Sequence, residues 1–249
     1  MEQIPPIIHE SWHPYLQPLF DDKKMAIMKN QIIPSTKFYP PPEDIFKVFR
    51  MPLDKIKVVI LGQDPYINAG EAMGYAFAVP SIIKIPPSLQ IIKNEILQSK
   101  VERDSSVNIS SDKWQELKHW RQQGVFLLNA ALTVEFKNSG SHMGIWQWFT
   151  REVVKIISKE VHPLWMLWGS PAKAFRDYID GALVIKRSEL LVINTPEEKE
   201  FFSKKSFILE AYHPVAEVYP DSKYKFTGCN HFNLCNEILK IKGNTIINW

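Results

Sequence analysis

The chain has 249 residues, 45% hydrophobic and 23% charged, which excludes a disordered or fibrous protein and is long enough for a sizeable core. Lys and Arg number 30 against 27 Asp and Glu, and the formal net charge of +3 is too mild for a histone-like binder yet compatible with a local basic groove. Cys229 and Cys235 lack CxxC spacing, so neither a disulfide framework nor a zinc site is signalled, and a reducing compartment is the default.

Taken in chain order, Met1 to Pro14 lacks the basic and apolar regions of a signal peptide, and no window approaches the ~20 apolar residues of a membrane helix. An intracellular, cytoplasmic or nucleoid-associated protein that is not secreted and makes no membrane contact is therefore expected. The first 50 residues carry Trp12, Phe20, Phe38, Phe46 and Phe49, and are expected to be helical and to pack onto the main core. Four apolar runs predict strands: Lys57 to Leu61, Val125 to Leu128, Leu164 to Trp168 and Phe207 to Ala211. Pro87 to Gln98, with Ser88 as a candidate N-cap, and Trp146 to Ser158 have helical spacing. Gly181 to Lys205, with its Glu-Glu-Lys-Glu and Lys-Lys clusters, reads as a solvated surface excursion. Strands alternating with helices predict a single α/β domain over residues 1–249, with a central four-stranded parallel sheet flanked by helices on both faces.

The ends of the predicted strands are the informative part. The runs lead into Gly62-Gln63-Asp64-Pro65-Tyr66, Asn129, Gly169-Ser170 and His213-Pro214. Ligands of open parallel sheets bind beyond the carboxyl ends of the strands, so these groups would share one crevice. There is no GxGxxG, Walker loop, HExxH or GxSxG. Asp64 and His213 then form an acid–base pair, with an amide and the aromatics Tyr66 and Phe77 nearby. Such a pair suits cleavage of an N-glycosidic bond, where the sugar becomes cationic and the departing base anionic. The residues alone leave open whether Asp64, Asn129 and His213 are catalytic or ordinary turn and capping residues.

Val58-Val59-Ile60-Leu61-Gly62-Gln63-Asp64-Pro65-Tyr66 also resembles the first motif of family 1 uracil-DNA glycosylases. The likeness continues through Gly74 to Val79, Pro86 to Leu89, Gly124 to Ala130, Leu167 to Ser170, His213-Pro214 and Gly228 to Phe232, with Tyr39 to Pro42 and Phe46 upstream. It spans nearly the whole chain. The resemblance implies a monofunctional DNA repair hydrolase that flips uracil out of DNA, needs no metal or organic cofactor, and leaves an abasic site. It implies that Asp64 activates water and stabilises the cationic sugar, and that His213 donates as a neutral imidazole to uracil O2. Asn129 would read the uracil edge, the Gln63 backbone would hold the base, Phe77 would stack on it, and Tyr66 would exclude a thymine methyl. Pro86, Pro87, Ser88, Gly169 and Ser170 would grip phosphates around the flipped nucleotide. Uracil-containing DNA, single- or double-stranded, is the implied partner, with a monomeric enzyme and a protein inhibitor of the family as further implications.

Departures from the family pattern cluster in two places. Ile67 follows Tyr66 where the family has His, which implies slower turnover. The last loop reads His213-Pro214-Val215-Ala216-Glu217-Val218-Tyr219, with Val215 in place of a phosphate-binding Ser and Glu217 in place of the wedging Leu. It is also a few residues longer, over Pro220 to Phe226. The expectation is that Lys223, Tyr224, Lys225 and Phe226 replace the wedge, with Tyr224 or Phe226 entering the base stack and the lysines meeting phosphates. The competing functions are a glycosylase for a 5-substituted uracil and a DNA-binding replication scaffold with weak activity.

Overall fold

The computed structural model describes residues 3–32, 37–99, 113–185, 195–218 and 222–249. The helices are α1 (His13–Phe20), α2 (Lys23–Ile32), α3 (Pro87–Gln98), α4 (Lys118–Gln122), α5 (Met143–Val161), α6 (Ser170–Lys173), α7 (Pro196–Ser203) and α8 (His231–Ile241). The strands are β1 (Phe38–Tyr39), β2 (Val58–Gly62), β3 (Val125–Asn129), β4 (Val134–Glu135), β5 (Leu164–Trp168), β6 (Leu183–Val184) and β7 (Phe207–Ala211). An all-parallel sheet runs in the order β3-β2-β5-β7-β6, and β1 pairs antiparallel with β4 beside it.

The four apolar runs are all strands of the parallel sheet, and every residue of β2, β3 and β5 is buried. Continuous apolar sequence is what helices on both faces require. The sheet has five strands rather than the expected four. The fifth, Leu183–Val184, lies inside the predicted excursion and joins the edge through Leu183 N–H to Ser206 O (3.0 Å) and Ile185 N–H to Ile208 O (3.1 Å). Further on, Thr195 and Glu198 form a capping box that starts α7, so this stretch is partly structured; residues 186–194 of it lie outside the described residues.

The amino-terminal segment packs as expected but is not helical throughout. Trp12, Phe20 and Phe49 are buried, and Trp12 stacks on Phe126 of β3 at 5.5 Å between ring centroids. Phe38 instead forms β1, whose partner β4 follows β3 directly. Helix α3 begins where predicted, but Pro86 occupies the N-cap position and Ser88 lies inside the first turn. Helix α5 extends the predicted span at both ends and turns Trp146, Phe149, Val153, Val154 and Ile157 to the core at three- to four-residue spacing. Both cysteines are free thiols.

The strand order places the functional crevice. From β2 the chain moves to β3 on one side, and then to β5 on the other. The β2–β5 boundary is therefore the switch point at which loops diverge and leave a gap above the sheet. Register aligns the ends: Gly62 sits opposite Asn129, and Trp168 opposite Ala211.

Candidate active site

Asp64 leaves β2 in a turn and is held from outside the sheet. Its Oδ2 accepts from the Gly140 amide (2.5 Å) and the Ser139 hydroxyl (3.0 Å), while Gln63 Nε2 donates to Ser139 Oγ (3.2 Å). These bonds orient the carboxylate and leave its other oxygen unused by them. Ser139 and Gly140 were not anticipated; the only cue in sequence is the Asn-Ser-Gly-Ser turn cluster at 138–141.

His213 follows β7. Its Nδ1 accepts the Val215 amide (3.1 Å), so the proton of the neutral ring sits on Nε2. Burial pulls its pKa below the usual histidine value, against an opposing pull from Asp64. The sequence expectation of a neutral imidazole donor fits this geometry.

Two glycines make room for these side chains. A Cβ on Gly62 would lie within bonding-clash range of Asn129 Oδ1, at 2.4 Å, and 3.0 Å from the Ala76 Cβ. A Cβ on Gly169 would meet His213 Cβ at 2.8 Å, and Gly169 has φ +86°, where L side chains are strained. The amide and the imidazole thus occupy space that alanine would take. Asn129, the last residue of β3, is 7% exposed.

Tyr66 and Phe77 form the aromatic wall. The Tyr66 hydroxyl donates to Phe77 O (3.1 Å) and lies 3.2 Å from Ser88 Oγ, which completes the pair as donor. Burial raises the Tyr66 pKa well above the ordinary phenol value. Phe77 has φ +63°, a left-handed conformation that costs a bulky residue roughly 1–2 kcal/mol. The Tyr66 bond and that of Ala76 N–H to Leu127 O (3.0 Å) hold the strained segment, with the Phe77 ring 5.4 Å from Trp168 and 5.9 Å from His213.

A cavity of about 440 Å³ is lined by Gln63, Asp64, Tyr66, Phe77, Ser88, Asn129, Gly169, Ser170 and His213, and Ile67 and Val215 also face it. Every predicted base-reading and catalytic residue is therefore in one place. Pro86, Pro87, Lys223, Tyr224 and Lys225 are not on its wall. Pro86 is buried and Pro87 exposed at the start of α3. Ile67 packs on Tyr39, Ala72 and Val134. His142 and His231 are buried, with His142 Nδ1 2.8 Å from Thr133 Oγ1 and His231 Nδ1 accepting from Trp168 Nε1 (3.0 Å). Among the described residues, no three His, Cys, Asp or Glu side chains are grouped as a metal ion would require.

The rim loop corrects one expectation. Phe226 cannot wedge into DNA, because it is fully buried, edge-on to Trp168 at 4.9 Å. Glu217 is not aimed outward either: its Oε2 accepts the amides of Phe226 and Thr227, both at 2.8 Å. Burial alone would raise its pKa, but the Thr227 and Phe226 hydrogen bonds and the Lys225 charge outweigh burial and hold it low. Tyr224 is 44% exposed and packs on Tyr212 at 4.8 Å; Lys223 lies over Tyr224 and Lys173 over Tyr212, each at 5.5 Å. Residues 219–221, part of the predicted insertion, lie outside the described residues.

An open parallel sheet with carboxylate, imidazole and amide converging beside an aromatic wall at its switch point defines an α/β protein with a ligand-sized crevice at the carboxyl ends of its strands. Residues 50–240 match the family described as the Uracil DNA glycosylase superfamily. The chain belongs to that superfamily. It is 38% identical to the uracil-DNA glycosylase of Campylobacter hominis, over 97% of this chain and 92% of the relative, and 39% identical to that of Borrelia duttonii, over 97% and 98%. Among solved structures, mimivirus uracil-DNA glycosylase is similar in fold with a TM-score of 0.76, at 24% identity over 98% of this chain and 87% of that one. A variant of the mimivirus protein in complex with UGI has a TM-score of 0.77, at 24% identity over 100% and 91%. No helix among the described residues is long and apolar enough to cross a membrane.

Proposed function

We propose that the chain hydrolyses the N-glycosidic bond between uracil and deoxyribose in DNA, releasing uracil and leaving an abasic site. The observation that carries this reading is the shared cavity of Asp64, Asn129 and His213 behind the Tyr66–Phe77 wall. The motif match further assigns it to family 1 of the superfamily. The partner is uracil-containing DNA, and the enzyme acts as an intracellular monomer open to a protein inhibitor that covers the same crevice.

The residues divide the reaction between them. The base enters against the Phe77 ring, and the Asn129 amide accepts from N3–H and donates to O4. Cytosine presents the reverse pattern, and each mismatched buried group costs roughly 1–3 kcal/mol. The Tyr66 ring, tied at its hydroxyl to Phe77 O, takes the space that a 5-methyl group needs. As the bond lengthens, negative charge collects on the base, and His213 Nε2–H donates to O2 without a proton changing hands. Positive charge develops on the sugar, and the Asp64 carboxylate stabilises it and orients the attacking water. The proton lost by that water leaves through Asp64 to solvent. Gln63 holds the base from the backbone, while Pro86, Pro87, Ser88, Gly169 and Ser170 position the flanking phosphates.

At the rim, Tyr224 takes the wedge role, with Tyr212 beside it and Lys223 and Lys225 meeting phosphates. An exposed, tilted aromatic pair flanked by cations offers ring faces to unpaired bases, so single-stranded uracil is the better substrate. Tyr224→Ala then lowers duplex activity more than single-strand activity. The test of the function is base release from matched oligonucleotides carrying one uracil, thymine, cytosine or 5-hydroxymethyluracil. Uracil-only release is expected. Release of 5-hydroxymethyluracil would move the assignment to a 5-substituted substrate, and DNA binding without any release would make the chain a scaffold.

A further inference from the structure

A second cavity, of about 510 Å³, lies away from the uracil crevice. Lys57 precedes β2 and Gly124–Val125 opens β3, so this cavity sits at the amino ends of the strands, whereas the uracil crevice lies beyond their carboxyl ends. The two cavities therefore open at opposite ends of the sheet. Tyr75 alone lines both.

Its charge is one-sided. Arg50, Lys55, Lys57, Lys118 and Arg121 line it, with no Asp or Glu among the lining residues. A chain whose net charge is only +3 has no electrostatic reason to gather cations in one cavity. Two of the five are partly engaged: Lys55 pairs with Asp54 at 3.0 Å, and Lys57 donates to Thr245 Oγ1. Arg121 is the deepest. Its guanidinium lies 3.8 Å from the Tyr75 ring centroid, and its Nε is buried without a hydrogen-bond partner. Burial lowers the Arg121 pKa, Tyr75 and Glu116 oppose that, and the Arg50 charge adds to it. The guanidinium is hydrogen-bonded to Tyr75 and attracted by Glu116, yet its buried Nε has no acceptor, and an anion entering the cavity would supply one. The lining also includes the apolar Met51, Pro52 and Phe126. The volume falls in the range of small-molecule sites and is too small for a folded partner.

We infer that this cavity binds a small phosphorylated ligand of nucleotide type, its phosphates held by Arg50, Lys118 and Arg121 and its ring laid against the apolar lining. The site is independent of the uracil chemistry, and its ligand is read by binding alone. The experiment is calorimetric titration of the full chain with ADP and, separately, with inorganic pyrophosphate. ADP should saturate one site below about 1 mM, with pyrophosphate binding more weakly because it lacks the ring. Arg121→Gln and the exposed-site variant Arg50→Gln should each weaken ADP at least about tenfold while uracil release stays at the wild-type level. Arg50→Gln keeps the test valid if Arg121→Gln misfolds. No saturable binding of either ligand up to about 5 mM would overturn the inference. So would binding unchanged in both variants, or ADP displaced by free uracil, which would put it in the other crevice.

Discussion

Gly62→Ala isolates how the amide of Asn129 is positioned. The added methyl would stand 2.4 Å from Asn129 Oδ1, so the oxygen must retreat by about 1 Å to reach ordinary contact. The atom in the way is the tip of a short side chain with rotatable bonds, so the fold absorbs the change more easily than the site does. Overpacking against Ala76 as well, at 3.0 Å, costs about 1–2 kcal/mol and lowers Tm by roughly 5 °C. A displacement of about 1 Å in a base-reading group costs on the order of 100-fold in kcat/KM. The assay is uracil release under kcat/KM conditions, with thermal melts run in parallel. A double-mutant cycle closes the argument: if the methyl acts through the amide, Gly62→Ala adds little further loss in an Asn129→Ala background. Activity within about threefold of wild type would refute the idea that Gly62 sets the place of Asn129. Losses that simply add in the double variant would refute it equally.

Other outcomes follow from the same geometry. Glu217→Gln weakens two charge-assisted bonds to the Phe226 and Thr227 amides and should lower stability by about 1–2 kcal/mol, measured by urea unfolding. It should reduce duplex activity through the loop that carries Tyr224, and unchanged stability would remove Glu217 from this structural role. His213 has a lowered pKa, so with the proposed role of neutral donor kcat/KM should stay level as pH falls through 6.5 and decline only below it; a decline centred at 6.5 or above would contradict its burial. His231 is held neutral, with its pKa lowered by burial from 6.5 to about 4. The unfolded chain takes up that proton first, so its contribution is complete above pH 6.5 and is lost as pH falls toward 4, by about 3 kcal/mol. Urea unfolding between pH 7 and 4.5 should show this slope in wild type and a shallower one in His231→Gln, and equal slopes would refute it.

The central strands were legible because a strand covered on both faces must be apolar throughout, as Val58–Leu61 and Leu164–Trp168 are. The edge strand Leu183–Val184 was not: its apolar run, Ala182 to Ile185, is short, and the charged clusters at 197–200 and 204–205 gave the whole stretch the look of a solvated excursion. The crevice was legible because its residues end strands: Asn129 closes β3, and Asp64 and His213 directly follow β2 and β7. What holds them was hidden. Nothing in the sequence says that the Gly140 amide, 76 residues downstream, points at Asp64, or that Glu217 spends its charge on two backbone amides. Phe226 misled because an aromatic between basic residues looks like a DNA contact, whereas its ring completes the cluster around Trp168.

In the proposed reaction Asp64 and His213 carry the chemistry of this crevice as carboxylate and neutral donor. The most direct measurement is single-turnover release of uracil from a saturating single-stranded oligonucleotide by wild type, Asp64→Asn and His213→Ala, with uracil-DNA affinity measured alongside. Rate losses of about 100-fold or more are expected in each variant, with DNA affinity little changed. Wild-type rates in either variant, or losses that track weakened DNA binding, would contradict these roles.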